Sequence, residues 1–284
     1  MTELSLAIAV KGPWDARGLT RALDAAGVMS PRIDVHLACN CAPNSPTNGI
    51  DVIVREGLSI FQLWGVAAAQ CRAPAIAILH GQAPPTPGWG PAMLAALSSN
   101  RALCGPVEPG YAPGDRRITG YLVEYCQFHR PVTAGMTEVP GNNLVITRSM
   151  LPPVGQLLRD GFSKTPMLAA GTLKPIWVGD ALVEHRRPFA LLPFCRRRFR
   201  HGRAYGANRL AQSYAQMRIY LIATTALLPL VRVARVVRHG WRQPALRFAI
   251  IRRLPAMLLT ETCWSIGELT GYLTAHPGDL TLLD

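Results

Sequence analysis

The chain has 284 residues, 49% of them hydrophobic and 17% charged, which is enough for a large core and excludes a disordered chain. Its net charge is +13, and the excess is uneven: between His185 and Thr260 stand sixteen arginines and no acidic residue, a surface suited to polyanions such as phospholipid headgroups, phosphorylated substrates or nucleic acid. The seven cysteines form no CxxC pair; they read as buried thiols of a reducing compartment, and Cys39 with Cys41 is too isolated for a zinc site.

The N-terminus lacks a basic run and reads as a first strand, Leu4–Val10, not as a signal peptide. Leu19, Ala22, Leu23 and Ala26 recur at helical spacing, with Gly27 as the cap. Strands are expected at Ile33–Cys39, Asp51–Arg55 and Ala75–Leu79, with a helix from Ser59 to Cys71 before the last of them. This alternation predicts an α/β domain with a mainly parallel sheet. Ligands of such sheets gather beyond the carboxyl ends of the strands, which makes Lys11, Asn40, Arg55 and His80-Gly81-Gln82 candidates for one crevice. A proline-rich connector, Pro84–Trp89, follows, then a helix at Pro91–Ser98 and a strand at Leu103–Val107. Tyr121–Phe128 is ambiguous, and a helix is preferred. Val139–Arg148 is a Pro-Gly-Asn-Asn turn feeding a short strand. Asn142 and Asn143 there serve equally as turn caps or as carboxamides for a polyhydroxyl ligand. A helix near Leu151–Arg159 and an extended stretch at Ile176–His185 complete the domain.

From Arg196 the character changes. Arg218–Val237 is helical, mostly apolar and broken at Pro229. Its uncharged run, Ile219–Val231, is shorter than the ~20 residues needed to span a bilayer. Arg232, Arg235, Arg238 and Arg242 fall at spacings that give a basic helix face. Pro255–Tyr272 is a further apolar segment. The expected division is an α/β domain at 1–195 and a basic, amphipathic, membrane-associating helical region at 196–284, lying on a membrane surface rather than crossing it. The alternative is a helical subdomain packed on the core with a solvated arginine face.

Several of these segments, taken in order, resemble a family 2 glycosyltransferase with a GT-A-type fold. They are the opening strand and helix, the Gly57–Gln70 segment, the Pro-x-Pro-Gly-Trp connector, the Pro-Gly-Asn-Asn-x-x-x-x-Arg segment with Val123-Glu124-Tyr125 upstream, and His185 followed by the Gly202-Arg203-x-x-x-x-x-Arg209 stretch. The likeness runs over nearly the whole chain. It implies a Rossmann-like mixed sheet that binds a nucleotide sugar, and a Mn²⁺ or Mg²⁺ ion that an acidic motif holds against the departing diphosphate. It also implies a carboxylate base for the acceptor hydroxyl.

The sequence departs from that pattern at both carboxylates. The metal position reads His80-Gly81-Gln82, which would hold Mg²⁺ poorly; His80 and His185 remain as ligands for Mn²⁺, and no cofactor is assigned. The base position carries Lys164. The first expectation is therefore a metal-independent transfer of a hexose to a hydroxyl of a lipid or lipid-linked acceptor. Lys164, Arg197 or Arg203 would hold the diphosphate, and Glu124, Glu138 or Asp180 would be the base. Lys11, Asn40, Arg55, Gln82, Asn142 and Asn143 would bind the donor, at the cytoplasmic face of the membrane and with a partner glycosyltransferase in view. The second is a degenerate transferase fold that binds a nucleotide, lipid or partner without turnover. Nucleic-acid binding is a weak third, because only Phe199 and Tyr205 are interleaved with the arginines.

Overall fold

The structure is a computed structural model and describes all residues except 1, 48, 98–100, 134, 137, 170, 172, 174, 212–214 and 280–284. Two compact units make it up: Met1–Gly110 with Phe128–Arg186, and Tyr111–Gln127 with Arg187–Asp284.

The first unit is built on a mixed seven-stranded sheet. Its parallel half contains β1 (Leu4–Val10), β2 (Ile33–Cys39), β3 (Asp51–Val54) and β4 (Ala75–His80). The largely apolar sequences of β1 and β4 fit strands covered on both faces, and both are buried throughout, Ser5 and His80 included. α1 (Ala16–Ala25) starts on Asp15, whose side chain accepts from Gly18 N. α2 (Ile60–Gln70) starts on a reciprocal cap between Ser59 and Gln62. α3 (Trp89–Ala96) follows the connector; the expected end of that helix, Ser98, lies outside the described residues.

The other half of the sheet is where reading by composition falls short. The expected strand Leu103–Val107 is two strands, β5 (Leu103–Cys104) and β6 (Val107–Pro109), because Gly105-Pro106 turns the chain out of the first sheet. β7 (Asn143–Thr147) runs antiparallel between β4 and β5, and β8 (Ile176–Trp177) closes the far edge, giving the order β3-β2-β1-β4-β7-β5-β8. β9 (Val183–His185) pairs with β6 in a separate two-stranded sheet. α5 (Val154–Asp160) and the short α6 (Thr165–Ala169) lie between β7 and β8; the sequence pattern had not shown α6.

The second unit is helical: α4 (Ile118–Tyr125), α7 (Leu191–Ala211), α8 (Ala215–Thr225), α9 (Leu228–Gly240) and α10 (Pro244–Thr274). The break expected at Pro229 falls just before it, at 226–227. The proline itself sits in the first turn of α9, where a missing N–H costs nothing. Pro255 does not start a segment but lies inside α10. The carbonyl four residues back belongs to exposed Ile251, so water can take the hydrogen bond that the proline removes.

α7 and α10 pack backbone to backbone. A Cβ on Gly202 would run into Trp264 O, one on Gly206 into Glu268 O, one on Gly267 into Phe199 O and one on Gly271 into Arg203 O. Two small-x-x-x-small pairs thus face each other across the crossing. Around it the helices bury charge. Glu261 accepts from Arg198 at 2.7 Å and from Arg232 at 2.5 Å, and both guanidinium groups lie over the Trp264 ring, at 4.2 Å and 4.4 Å. Trp264 Nε1 and the Tyr272 hydroxyl donate to the two oxygens of Glu268. Arg232, expected in the basic stripe, is therefore drawn inward as the partner of a buried carboxylate.

Candidate functional site

The carboxyl ends of the parallel strands form one rim of the first unit. At the end of β1, Gly12 N donates to Asn40 Oδ1 at 2.7 Å, so the Asn40 side chain ties the loop after β1 to the end of β2. Lys11 is half-buried, and Arg55 is exposed just beyond β3. At the end of β4, Trp64 of α2 donates its Nε1 to Leu79 O at 2.6 Å and sets its ring edge-on to buried His80. Gln82 N donates to His80 Nδ1 at 3.0 Å.

That last bond bears on metal binding. A neutral imidazole whose Nδ1 accepts a hydrogen bond carries its proton on Nε2, so neither nitrogen offers a lone pair to a cation. Among the described residues no group of three His, Cys, Asp or Glu side chains could hold a metal ion. The side chains at this rim do not fit the Mn²⁺ or Mg²⁺ ion that the resemblance implies.

β7 brings the Pro-Gly-Asn-Asn turn to the same rim. Its register pairs Asn143 with Leu79, which puts Asn142, one step further, opposite His80. The two asparagines differ in kind. Asn143 is fully buried; its Oδ1 accepts from Trp89 Nε1 at 3.0 Å, and its Nδ2 donates to Pro106 O and Ala181 O at 3.0 Å and 2.8 Å. It holds the connector, the β5–β6 turn and the β8–β9 turn together, and each group left unpaired without it would cost about 1–3 kcal/mol. Asn142 is also buried, at 1% exposure, but neither its Oδ1 nor its Nδ2 has a partner among the described residues. A buried carboxamide without a partner is costly, and this one stands at the rim.

Lys164 lies against this turn. Its Nζ donates to Val139 O, and its side chain runs beside Gly141. It gets there because α5 and the residues after it press onto α2: a Cβ on Gly65 would strike Leu157 O, and one on Gly161 would strike Phe61 O. Burial pulls the lysine down from its usual range to about 8, with Cys104 and Glu138 pulling the other way. At pH 7 such a group is still about nine-tenths charged. It is mostly a cation, at the position where the resemblance implies a carboxylate.

Antiparallel bonding brings β9 alongside the connector: Arg186 N donates to Gln82 O at 2.9 Å, and Glu184 N to Pro84 O at 3.0 Å. His185 is buried there. Asp180 is exposed in the turn next to Ala181, whose carbonyl Asn143 holds. Lys11, Asn40, Arg55, His80, Gln82, Asn142, Asn143, Lys164, Asp180 and His185 all belong to this unit. Glu124, Arg197 and Arg203 belong to the other. Glu124 and Arg197 form a largely buried ion pair at 3.0 Å, and Arg197 also lies over Phe194. Arg203 donates its Nε to His276 O at 3.1 Å.

The helical unit exposes large apolar side chains on three consecutive helices: Ile219 and Tyr220 on α8, Leu230 and Val231 on α9, Phe248 and Ile251 on α10. No single described helix is long and apolar enough to cross a membrane, and the α8–α9 pair that passes by composition is bent by 68°. A cleft of about 570 Å³ there is lined by Trp241, Val237, Arg238, Arg242 and Arg247.

No family model matches the chain, and no curated protein matches it by sequence. Solved structures match by fold. The mannosyltransferase PcManGT from Pyrobaculum calidifontis, in complex with GDP-Man and Mn²⁺, is 13% identical, with a TM-score of 0.51 over 96% of this chain and 87% of that one. Glucosyl-3-phosphoglycerate synthase from Mycobacterium tuberculosis is 12% identical, with a TM-score of 0.40 over 66% and 73%. GalNAc-T7 with UDP, GalNAc and Mn²⁺ is 12% identical, with a TM-score of 0.42 over 65% and 44%. Identity at this level carries architecture and not reaction: the chain has the GT-A glycosyltransferase fold.

Proposed function

We propose that this protein transfers a sugar, a hexose of the family 2 type, from a nucleotide-sugar donor to the hydroxyl of a lipid or lipid-linked acceptor at a membrane surface, without a resident metal ion. One observation supports this above the rest. The rim that the GT-A fold offers to a donor carries cations and carboxamides, namely Lys11, Arg55, Lys164 and the unpartnered Asn142, where a metal-binding site would carry carboxylates. Lys164 and Lys11 offset the diphosphate charge as the bond from the anomeric carbon to the phosphate oxygen breaks. Asp180, exposed in its turn, takes the proton of the attacking hydroxyl as the new bond forms. Glu124 is less suited to that role, because Arg197 already holds its carboxylate.

The membrane side of the proposal is supported by the apolar side chains and arginines of α8 to α10. Seven unpaired thiols are consistent with the cytoplasmic face. The lack of a carboxylate at His80-Gly81-Gln82 also favours a second reading, a non-catalytic relative that binds a nucleotide and serves a partner transferase.

Calorimetry with UDP-, GDP- and TDP-sugars, with and without Mn²⁺, is the test. Expected is binding to one donor at a Kd between about 1 µM and 1 mM, unchanged by Mn²⁺ and weakened about tenfold by Asn142→Ala, the loss of one hydrogen-bonding group in a buried site. Binding that requires Mn²⁺ would overturn metal independence. No binding by folded protein would leave only a role without turnover.

A further inference from the structure

A second cleft, of about 600 Å³, lies wholly within the helical unit, on α7, α10 and the chain after α10. Its apolar wall is Leu192, Phe199 and Pro277, with the thiols of Cys195 and Cys263 beside them. Burial lifts the Cys195 thiol to about 11, so it adds no negative charge. Arg196, Arg200 and Arg203 also line the cleft; four and three residues apart on α7, they share one helix face. Arg203 is steadied by its bond to His276 O. Arg196 and Arg200 are exposed, and no carboxylate pairs with either among the described residues. Asp279 is the one acid among the described residues of the wall, against three arginines. Leu192 is 70% exposed, and Ile266, one turn beyond Cys263 on α10, is 51% exposed, so the apolar wall continues onto open apolar surface.

We propose that this cleft binds a lipid whose head is a phosphate or diphosphate: the arginines of α7 take the head, and the Leu192–Phe199–Pro277 wall takes the start of the chain. Arginine forks suit phosphate oxygens, a cleft of this volume is in the range of small-molecule sites, and neither half of the cleft suits a ligand lacking the other half. The proposal stands on the helical unit alone. It does not depend on donor binding, so the failure of one is distinguishable from the failure of the other.

The test uses the full chain and dodecyl phosphate below its micelle concentration, against dodecyl maltoside and inorganic phosphate. Dodecyl phosphate is expected to bind at least tenfold tighter than either, and the double variant Arg196→Gln, Arg200→Gln to lose tenfold or more while keeping its circular dichroism spectrum. Bound dodecyl phosphate is also expected to slow the reaction of Cys263 with N-ethylmaleimide at least threefold, read by peptide mass spectrometry. Cys41, half-buried in the other unit, is the internal control and is expected to react at an unchanged rate. Equal binding of dodecyl phosphate and dodecyl maltoside would overturn the role of the arginines. Equal binding of inorganic phosphate would overturn the lipid in favour of a free anion, and unprotected Cys263 would overturn the location.

Discussion

Lys164 shows how one side chain's surroundings set both its charge and its effect on stability. Burial brings it to about 8 in the folded chain, against an ordinary value near 10.5 in the unfolded one. Between those values the unfolded chain holds a proton that the folded chain has lost, so the lysine makes stability rise with pH across that window. The buried thiols work in the opposite sense. Burial holds Cys71, Cys104 and Cys126 up at about 12, and the unfolded chain gives up those protons first. The lysine's part is therefore read from a difference. In thermal unfolding scanned from pH 7 to 10, Lys164→Met is expected to melt higher than the parent at pH 7, and its lead is expected to shrink steadily toward pH 10. A lead that stays constant would mean that Lys164 titrates as an exposed lysine and is not the half-buried cation proposed to face the diphosphate.

At the scale of elements, the α7–α10 crossing makes the strongest demand on the sequence. Gly202 and Gly206 meet Gly267 and Gly271 with no room for a methyl group, and in each case the obstacle is backbone that cannot swing aside. Gly267→Ala is expected to destabilise the chain by about 2–3 kcal/mol through forced separation of the helices, measured by urea unfolding. Gly155→Ala in α5, where nothing lies within 4 Å of the added Cβ, is expected to be neutral or slightly stabilising. Equal effects would show that the crossing is looser than described.

The contrast marks what a sequence can show. Strands β1 to β4 and helices α1 and α2 were legible because apolar period, caps and turn residues are local signals, and the carboxyl-end rim followed from their order. The strand order beyond β4 was not, because placing β7 between β4 and β5 depends on pairings across some 40 to 70 residues. The roles of Asn142 and Asn143 could not be separated either. They are neighbours of the same type, and only the positions of Trp89, Pro106 and Ala181 in space tell the tied one from the unpartnered one. The cleft on α7 left a trace in the spacing of Arg196, Arg200 and Arg203. It read as general basicity because Cys263 and Pro277, far along the chain, supply the opposite wall.

At the scale of the whole molecule, the charge of +13 resolves into two populations. Some arginines are internal: Arg198 and Arg232 are held by Glu261 over Trp264, and Arg197 is held by Glu124. The basic face expected from Arg232, Arg235, Arg238 and Arg242 is to that extent a structural device, and removing Arg232 would probe folding instead of membrane attraction. Arg238, Arg242 and Arg247 line the recess beside Trp241 and are the better probes. Each basic residue near an anionic surface contributes about 1 kcal/mol, so replacing all three with Gln is expected to weaken sedimentation with phosphatidylserine-containing vesicles roughly a hundredfold at low salt. That difference is expected to fade as ionic strength rises and the screening length shortens. Phe248→Ser with Ile251→Ser removes apolar contact and leaves the charge unchanged, so its loss is expected to persist at high salt and on uncharged vesicles. The two sets of variants thus separate attraction from insertion. If all variants sediment like the parent, the exposed side chains of α8 to α10 face something other than lipid, and the transferase proposal loses its membrane-bound acceptor while donor binding in the first unit stays intact.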